Sequence, residues 1–534
     1  MKKPNSTLRL LTGPKDLQMS LVFDGFLVGI GAGLVSVAYR WMLGKAETFL
    51  FAASEYLQKK PVMTLGWILL IVMLAVICTR LLKWEPMISG SGIPQVSGEI
   101  KGYLDIKPIR TILGKMIGGT LCIIGGMSLG REGPSVQLGA MAGKLISRLR
   151  GENQTREKAL LTCGAGAGLA AAFNAPLSGV MFALEEIHKN FNSYILVCAM
   201  VGAATADFIS KGFFGVSTVF HYELYNTFPL RYYWVLVLLG ILLGVLGAFY
   251  NKMMLFGQDF FKKISFLPQE IRLMIPFLMG LILMFFLPET LAGGHAMVGL
   301  LEDGKTAASM LLLLLLVKFV FSVFCFGSGA PGGIFFPLLV LGSYVGAIMG
   351  KGVILAFHLP NGLIYNFIIL AMAGFFAAIV RAPITGVVLI AEMTGTLDHL
   401  ISLLLVSVVA YVVANELRSA PIYESLLDRI LLKNKGVAQV EYPEDKILAN
   451  FFVQCGSKLE NKRIRDIEGW PKNCLIVSIK RGEKELIPRG LTRLLPSDML
   501  IVLLDSKDLA SVNEIISDLC QNKEENGREG ERTI

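Results

Sequence analysis

The motif Gly130-Arg131-Glu132-Gly133-Pro134 is charged, rich in glycine and proline, and surrounded by apolar sequence. Two further motifs, Gly90-Ser91-Gly92-Ile93-Pro94 and Gly332-Gly333-Ile334-Phe335-Phe336-Pro337, interrupt apolar sequence in the same way. A proline in the first turn is typical of a helix N-terminus. Backbone groups without helical partners are tolerated at membrane depth only where protein buries them or a polar cavity receives them. The three motifs therefore predict helices that begin inside a membrane.

The chain around these motifs has the composition of a membrane protein. Of its 534 residues, 54% are hydrophobic and only 17% are charged, and the mean hydropathy is +0.60. Soluble proteins carry about a quarter charged residues. Apolar runs that meet or approach the length needed to cross a bilayer core of about 30 Å recur between Leu21 and Leu417. We expect an all-α polytopic membrane protein.

The motifs belong to an internal repeat. Pro134 and Pro337 lie 203 residues apart, and the segments 174–180 and 381–387 match at a spacing of 207 residues. Duplicated halves with interrupted helices at matching positions are typical of transporters whose site lies near the middle of the membrane. Helix N-termini that converge carry partial positive charge and free N–H donors, which suit an anion. We predict a small anion as the substrate.

Glu132 is a carboxylate inside one of the predicted breaks. Carboxylates within the membrane are costly and by default mark function. An ionised Glu132 would compete with an anionic substrate for the same amides, and protonation would release them, so Glu132 is a candidate gate. The alternative is a salt bridge with Arg131, which we disfavour because adjacent residues on a helix do not face each other.

A second pair of carboxylates, Glu185 and Glu186, follows the apolar run that ends at Leu184. Neighbouring residues point about 100° apart on a helix, so at most one of the two faces a proton route. The second half of the repeat has Glu392 at the position of Glu185 and a methionine after it. We therefore predict a structural role for Glu185 and a functional one for Glu186.

Two basic residues lie close to these motifs. Lys115 stands in the middle of an apolar helix and could either supply positive potential to an anion or extend to the membrane surface, and both alternatives stay open. Arg131 adds positive charge beside Glu132. Lys318 could equally extend to the surface and receives no role.

The sequence argues against several other classes of protein. Its eight cysteines are scattered without a CxxC pair, and its five histidines have no metal-ligand spacing. No nucleophile–base pair stands out. We expect no enzyme activity, no metal, no cofactor and no nucleic-acid partner.

The composition changes near residue 421. We read residues 1–20 as a cytosolic N-terminal segment, 21–430 as the transport domain, 431–436 as a polar linker, 437–520 as a small α+β domain and 521–534 as a disordered tail. In the α+β domain, Leu475–Ile479 and Met499–Leu504 are rich in strand-forming residues, and Arg481-Gly482-Glu483 is a turn. Ser506 is a candidate cap for a helix that ends near Cys520.

Taken together, the three motifs resemble those of the CLC family of chloride channels and chloride/proton exchangers, over roughly Leu21–Leu427. The resemblance implies an inverted repeat of tilted, broken helices and a homodimer with a separate anion pathway in each subunit. It implies a place in the plasma (inner) membrane, with the C-terminal domain in the cytosol.

The resemblance also implies roles for single residues. Ser91, Ile334, Phe335 and Tyr423 correspond to the chloride ligands, the first and last through hydroxyl groups and the other two through backbone amides. Glu132 corresponds to the external gating glutamate and Glu186 to the internal proton-transfer glutamate. Serine at position 91 accompanies chloride preference in the family.

Channels of the family usually lack an acid at the position of Glu186, so this residue favours coupled exchange over a passive chloride channel, which stays the alternative. Gln95 departs from the glutamate that many bacterial relatives carry after the proline, and we expect transport to survive the difference.

The C-terminal domain resembles a TrkA-C regulatory domain, through Gly456-Ser457-Lys458-Leu459, Leu486-Ile487-Pro488 and the two strands named above. This resemblance implies either a small-molecule ligand or a dimer clamp without a ligand. A further alternative makes this domain the functional centre and the membrane part a sensor or a potassium-linked partner.

Overall fold

A computed structural model describes residues 14–189, 191, 193–216, 218, 220, 228–302, 306–434, 446–471, 473–482, 484–505 and 509–520. The chain forms two compact units, divided between Leu431 and Leu432. The first is helical, and the second contains a small antiparallel sheet.

Seventeen helices are described in the first unit, and eight helical segments of the described chain are long and apolar enough to cross a membrane. This confirms the prediction of a multi-pass, helical membrane protein. The helices are α1 (Pro14–Lys59), α2 (Thr64–Trp84), α3 (Ile93–Ile100), α4 (Pro108–Ile124), α5 (Glu132–Arg150), α6 (Gln154–Phe173), α7 (Pro176–Phe182), α8 (Ser193–Phe214), α9 (Tyr233–Lys263), α10 (Gln269–Phe286), α11 (His295–Glu302), α12 (Ala308–Gly327), α13 (Phe335–Phe357), α14 (Leu363–Val380), α15 (Pro383–Thr394), α16 (Leu400–Glu416) and α17 (Ile422–Asn434). A π-helical segment, Ala183–His188, continues α7.

The predicted breaks are helix starts. Helices α3, α5 and α13 begin at the three motifs, and Gly92, directly before α3, has a left-handed φ of 94° that glycine adopts without strain. The breaks of the two halves also meet. Gly130 and Gly333 exchange two backbone hydrogen bonds of 2.7 and 2.8 Å, and Gly90 forms an isolated bridge with Pro331. The middle of the unit is therefore a junction of helix N-termini.

The two halves are joined by reciprocal carboxylate caps. Glu185 accepts hydrogen bonds from the amide and hydroxyl of Thr385, both at 2.7 Å, in the first turn of α15. Glu392 accepts from the amide and hydroxyl of Ser178, at 2.7 and 2.5 Å, in the first turn of α7. A carboxylate at a helix N-terminus satisfies free donors and complements the helix dipole. The predicted structural role of Glu185 is confirmed.

The second unit has a four-stranded antiparallel sheet in the order β1-β4-β2-β3 and one helix. One face of the sheet carries buried side chains, among them Ile479 and Val502, which form a core with Ile516 of the helix. The elements are β1 (Lys446–Phe452), β2 (Cys474–Arg481), β3 (Lys484–Leu486), β4 (Met499–Asp505) and α18 (Leu509–Cys520). The two predicted strands lie within β2 and β4.

An ion pair fixes the loop that enters β4. The buried Asp498 carboxylate accepts hydrogen bonds of 2.7 and 2.8 Å from the Arg481 guanidinium and one of 2.8 Å from the amide of Leu495. The neighbouring carboxylate raises the pKa of Arg481. This pair holds the end of β2 against the start of β4.

Two predicted boundaries fall inside helices. Helix α1 begins at Pro14, so the expected N-terminal segment 1–20 includes its first turns. Helix α17 ends at Asn434, so the expected linker 431–436 begins within it, and the two compact units divide between Leu431 and Leu432. The predicted cap at Ser506 and the predicted disorder of 521–534 lie outside the described residues.

Candidate anion and proton site

The first two breaks come together at Ser91. Its side chain is buried, and the amide of Ile93 points at its Oγ at 3.5 Å. A β-carbon at Gly133, in the first turn of α5, would lie only 2.5 Å from this same Oγ. Glycine at this position therefore lets the N-terminus of α5 approach the Ser91 hydroxyl.

The third break supplies backbone amides. Ile334 directly precedes α13 and Phe335 begins it, so their N–H groups are among the first four of a helix, which have no partner within it. Both residues are buried. The Phe335 ring packs against Phe173 and Phe182, with ring centroids 5.3 and 5.9 Å away. This packing fixes the start of α13 in place.

Tyr423 is the most informative of the predicted ligands. It lies in the first turn of α17, is 1% exposed, and its hydroxyl has no hydrogen-bond partner among the described residues. Glu132, Glu186 and Tyr250 all act on it electrostatically. A buried hydroxyl without a partner costs about 1–3 kcal/mol, so such groups mark places where a ligand or water binds. The Tyr423 hydroxyl is therefore available to a bound anion or water.

Glu132 is completely buried, and neither of its oxygens has a hydrogen-bond partner in the described part of the chain. The backbone amides of Arg131 and Phe336 lie near the carboxylate. Arg131 Nε lies 3.6 Å from Glu132 Oε1, so the expectation that the two side chains would not face each other is wrong. Arg131 precedes the helix instead of lying within it, so the helical spacing rule does not apply to this pair.

Glu186 lies in the π-helical segment and is 3% exposed. Short π-helical segments often occur at functional sites. The charged groups around Glu186 are Lys101, Lys189, Glu185 and Glu424. Lys189 and Glu424 form an ion pair, which ties this segment to the helix that carries Tyr423. Glu186 is therefore a buried carboxylate next to a segment that an ion pair joins to the Tyr423 helix.

Family models and known relatives match most of this chain. A family model described as voltage gated chloride channel matches residues 71–415, and a TrkA-C domain model matches residues 448–517. The chain belongs to the voltage gated chloride channel, or CLC, family. It is 34% identical over 453 residues to the H(+)/Cl(-) exchange transporter ClcA of Vibrio cholerae, a match that covers 83% of this chain and 96% of that one.

A relative from another organism and two solved structures are also similar to this chain. The ClcA transporter of Yersinia pestis is 31% identical over 463 residues, covering 84% of this chain and 95% of that one. The crystal structure of a slow cyanobacterial Cl-/H+ antiporter has a TM-score of 0.72 and 31% identity, and the match covers 77% of this chain and 98% of that chain. A CLC-type fluoride/proton antiporter shares the fold, with a TM-score of 0.63, 23% identity, and coverage of 77% of this chain and 98% of that chain.

Two buried lysines support the breaks of this CLC chain. Lys115 donates to the carbonyls of Ile88 and Gly90 at 2.8 and 2.5 Å, and Lys318 donates to those of Thr290 and Ala292, both at 2.8 Å. Both side chains are fully buried, so the alternative that Lys115 extends to the membrane surface is wrong. Sequence reasoning missed Lys318, although its spacing of 203 residues from Lys115 equals the spacing of the repeat.

The structure gives two further side chains, Gln95 and Tyr250, surroundings that could not be predicted from the sequence. Gln95 donates from Nε2 to the carbonyl of Ser89 at 2.7 Å, a bond that an ionised glutamate at this position could not donate. Tyr250 is buried, and its hydroxyl has no hydrogen-bond partner among the described residues. Only the burial of Tyr250 next to Tyr423 identifies it, because in sequence it is one aromatic residue in an apolar helix.

Proposed function

We propose that this protein exchanges chloride for protons across the membrane. The observation that carries the proposal is the Tyr423 hydroxyl, which is buried and has no hydrogen-bond partner among the described residues, together with the two buried carboxylates Glu132 and Glu186. A passive anion pathway needs no second buried carboxylate beyond the anion site. The relatives named as H(+)/Cl(-) exchange transporters support the same conclusion.

In this proposal, chloride binds at the junction of the breaks. The hydroxyls of Ser91 and Tyr423 and the amides of Ile334 and Phe335 replace water around the ion. Helix N-termini carry about half a positive charge each, which compensates the loss of hydration. Lys115 and Arg131 add positive potential. The apolar side chains of Ile334 and Phe335 leave the amides without a competing carboxylate from α13.

Glu132 couples this site to protons. When ionised, its carboxylate occupies the region of the amides and excludes chloride. When it accepts a proton, it becomes neutral, leaves the amides and lets chloride enter. Glu186 exchanges the proton with the other side of the membrane, past Tyr423. A proton that Glu132 or Glu186 accepts on one side of the membrane is released by the other carboxylate on the opposite side. Because chloride enters only when Glu132 is protonated, the cycle exchanges chloride for protons.

We further propose that residues 21–430 form the transport domain and that two chains form a homodimer, each with its own pathway. The protein would lie in the plasma membrane with the TrkA-C domain in the cytosol, where this domain would bind a small molecule or act as a dimer clamp. Removal of residues 437–534 should leave basal chloride flux in place. Loss of all flux in the folded truncated protein would instead make this domain the functional centre.

The test is ion flux in liposomes that contain the purified full-length protein, with chloride and pH recorded together. Glu132→Ala and Glu186→Gln should each abolish chloride-driven proton movement while chloride still passes. Glu55→Gln, an exposed carboxylate on α1, is the matched control and should behave like the wild type. Proton movement that persists in both variants would refute the mechanism. A wild-type reversal potential that ignores the pH gradient would identify a passive channel.

A further inference from the structure

A small cavity lies on the Glu132 side of the helix breaks. Arg131, Glu132 and His295 line it together with Tyr39 and Glu47 of α1. Its volume is about 20 Å³. A water molecule needs roughly 10–15 Å³ measured in this way, so the cavity can hold one water next to Glu132.

Glu47 brings a third carboxylate to this region. It follows Tyr39 by eight residues, and positions four and eight residues apart share one helix face, which here is the face that lines the cavity. Glu47 is partly buried and has no hydrogen bond or ion pair with any described residue. Arg131 and Lys318 are the cations that act on it. A carboxylate in an apolar membrane helix is costly and by default functional.

The opposite wall carries His295. Its ring lies over Phe336, with ring centroids 4.1 Å apart. In the repeat, His295 takes the position of Gly92, so the second half has a titratable ring where the first half has a helix-breaking glycine. The charged groups that act on His295 are Arg40, Arg131 and Lys318. The cavity therefore joins two titratable side chains, Glu47 and His295, to the carboxylate of Glu132.

We propose that Glu47 carries protons between the solution and Glu132 through one water in this cavity. The proton leaves the Glu47 carboxyl group for the water, the water passes a proton to a Glu132 oxygen, and Glu47 takes another proton from the solution. The opposite direction of exchange reverses each step. This inference rests on the proposed function, since it supplies protons to the same gate. It keeps the proton route on the α1 side, apart from the amides that hold chloride.

The test is Glu47→Gln in the full-length protein, measured in liposomes over a series of equal internal and external pH values. Chloride and proton flux should both fall at least about tenfold near pH 7, because a positioned proton donor contributes a factor of this size or more. Their ratio should stay unchanged. The loss should shrink toward about pH 4.5, where hydronium can protonate Glu132 directly. Glu47→Asp, which keeps a carboxylate, should recover part of the rate, and Glu55→Gln should match the wild type.

Three results would overturn the inference. The first is a Glu47→Gln rate equal to that of Glu55→Gln. The second is an equal loss of chloride flux when Glu47→Gln is added to Glu132→Gln, because a gate that takes no proton cannot be slowed by its donor. The third is a Glu47→Asp protein that unfolds at the same temperature as the wild type but is as slow as Glu47→Gln. A wild type that moves no protons would instead refute the proposed function.

Discussion

The two halves of the transport unit place different chemistry on the same backbone. At the matching break, 203 residues apart, the first half has Arg131 and Glu132 and the second half has Ile334 and Phe335. The glycines before them, Gly130 and Gly333, pair through two backbone hydrogen bonds, so the breaks are joined directly. In the first half, the Glu132 carboxylate can compete for the amides of the break. In the second half, the apolar side chains of Ile334 and Phe335 cannot. The two halves therefore share the broken helices but differ in the side chains at the break, which agrees with the proposed gating at Glu132 and anion binding at Ile334 and Phe335.

Substitutions at Glu132 and at its counterpart Phe335 should differ most strongly in their effect on proton flux. Glu132→Gln should reduce proton flux more than tenfold, to background, because an amide cannot carry the proton. Phe335→Leu should slow both ions only modestly and keep their ratio, because this position contributes its backbone amide and its ring only positions the start of α13. Paired flux recordings in liposomes measure both. Loss of coupling in the Phe335 variant would contradict the division between the halves.

The second comparison concerns the two buried lysines. Lys115→Met and Lys318→Met should each lower the free energy of unfolding by about 3 kcal/mol, because each removes two charge-assisted hydrogen bonds and leaves two buried carbonyls without donors. Thermal unfolding in detergent measures the loss. Since only Lys115 bonds beside Ser91, its removal should also slow chloride flux more. Equal flux in the two variants would show that the lysines support only the backbone.

A smaller effect is expected at Ser91, whose counterpart in the second half is Gly294. Ser91→Ala should weaken chloride binding about tenfold, because one hydrogen bond to a charged group contributes about 1.5 kcal/mol. Titration calorimetry with chloride checks this. Ser36→Ala, at a buried serine of α1 that does not line the site, is the control. Unchanged affinity in the Ser91 variant would mean that backbone amides alone hold the anion.

The carboxylate caps Glu185 and Glu392 are a feature that the two halves share, and replacing either should change stability only slightly. Glu185→Gln and Glu392→Gln should each cost about 1 kcal/mol of stability, because both remove a negative charge from a helix N-terminus while keeping an oxygen acceptor. The two losses should be equal within error, because each carboxylate accepts from the amide and hydroxyl of a residue at the matching position of the repeat, Ser178 or Thr385. Chemical unfolding provides the measurement. A much larger cost for one variant would show that the halves are not equivalent even in their scaffold.

The class of protein, the family and the positions at which helices break can all be predicted from the amino-acid sequence. Apolar composition and the placement of glycine and proline are local properties that predict where helices begin, and the 203-residue repeat is visible when the two halves of the sequence are compared. The functional importance of Glu186 could also be argued from sequence, since the repeat contains Glu392 but no second acid. The roles of Ser91, Tyr423 and Glu186 in transport stay predictions.

Which side chains contact one another depends on how the helices pack and could not be predicted from the sequence. In the structure, Arg131 lies 3.6 Å from Glu132, and Lys115 and Lys318 each donate to backbone carbonyls at a break. Tyr250 and Tyr423 are both buried. Glu47 and His295 line the same cavity. These partners are distant in sequence or lie where helical spacing rules do not apply. A membrane helix is apolar along most of its length, so its sequence gives little indication of which face meets protein, lipid or water. That choice is made by packing against the other half of the repeat.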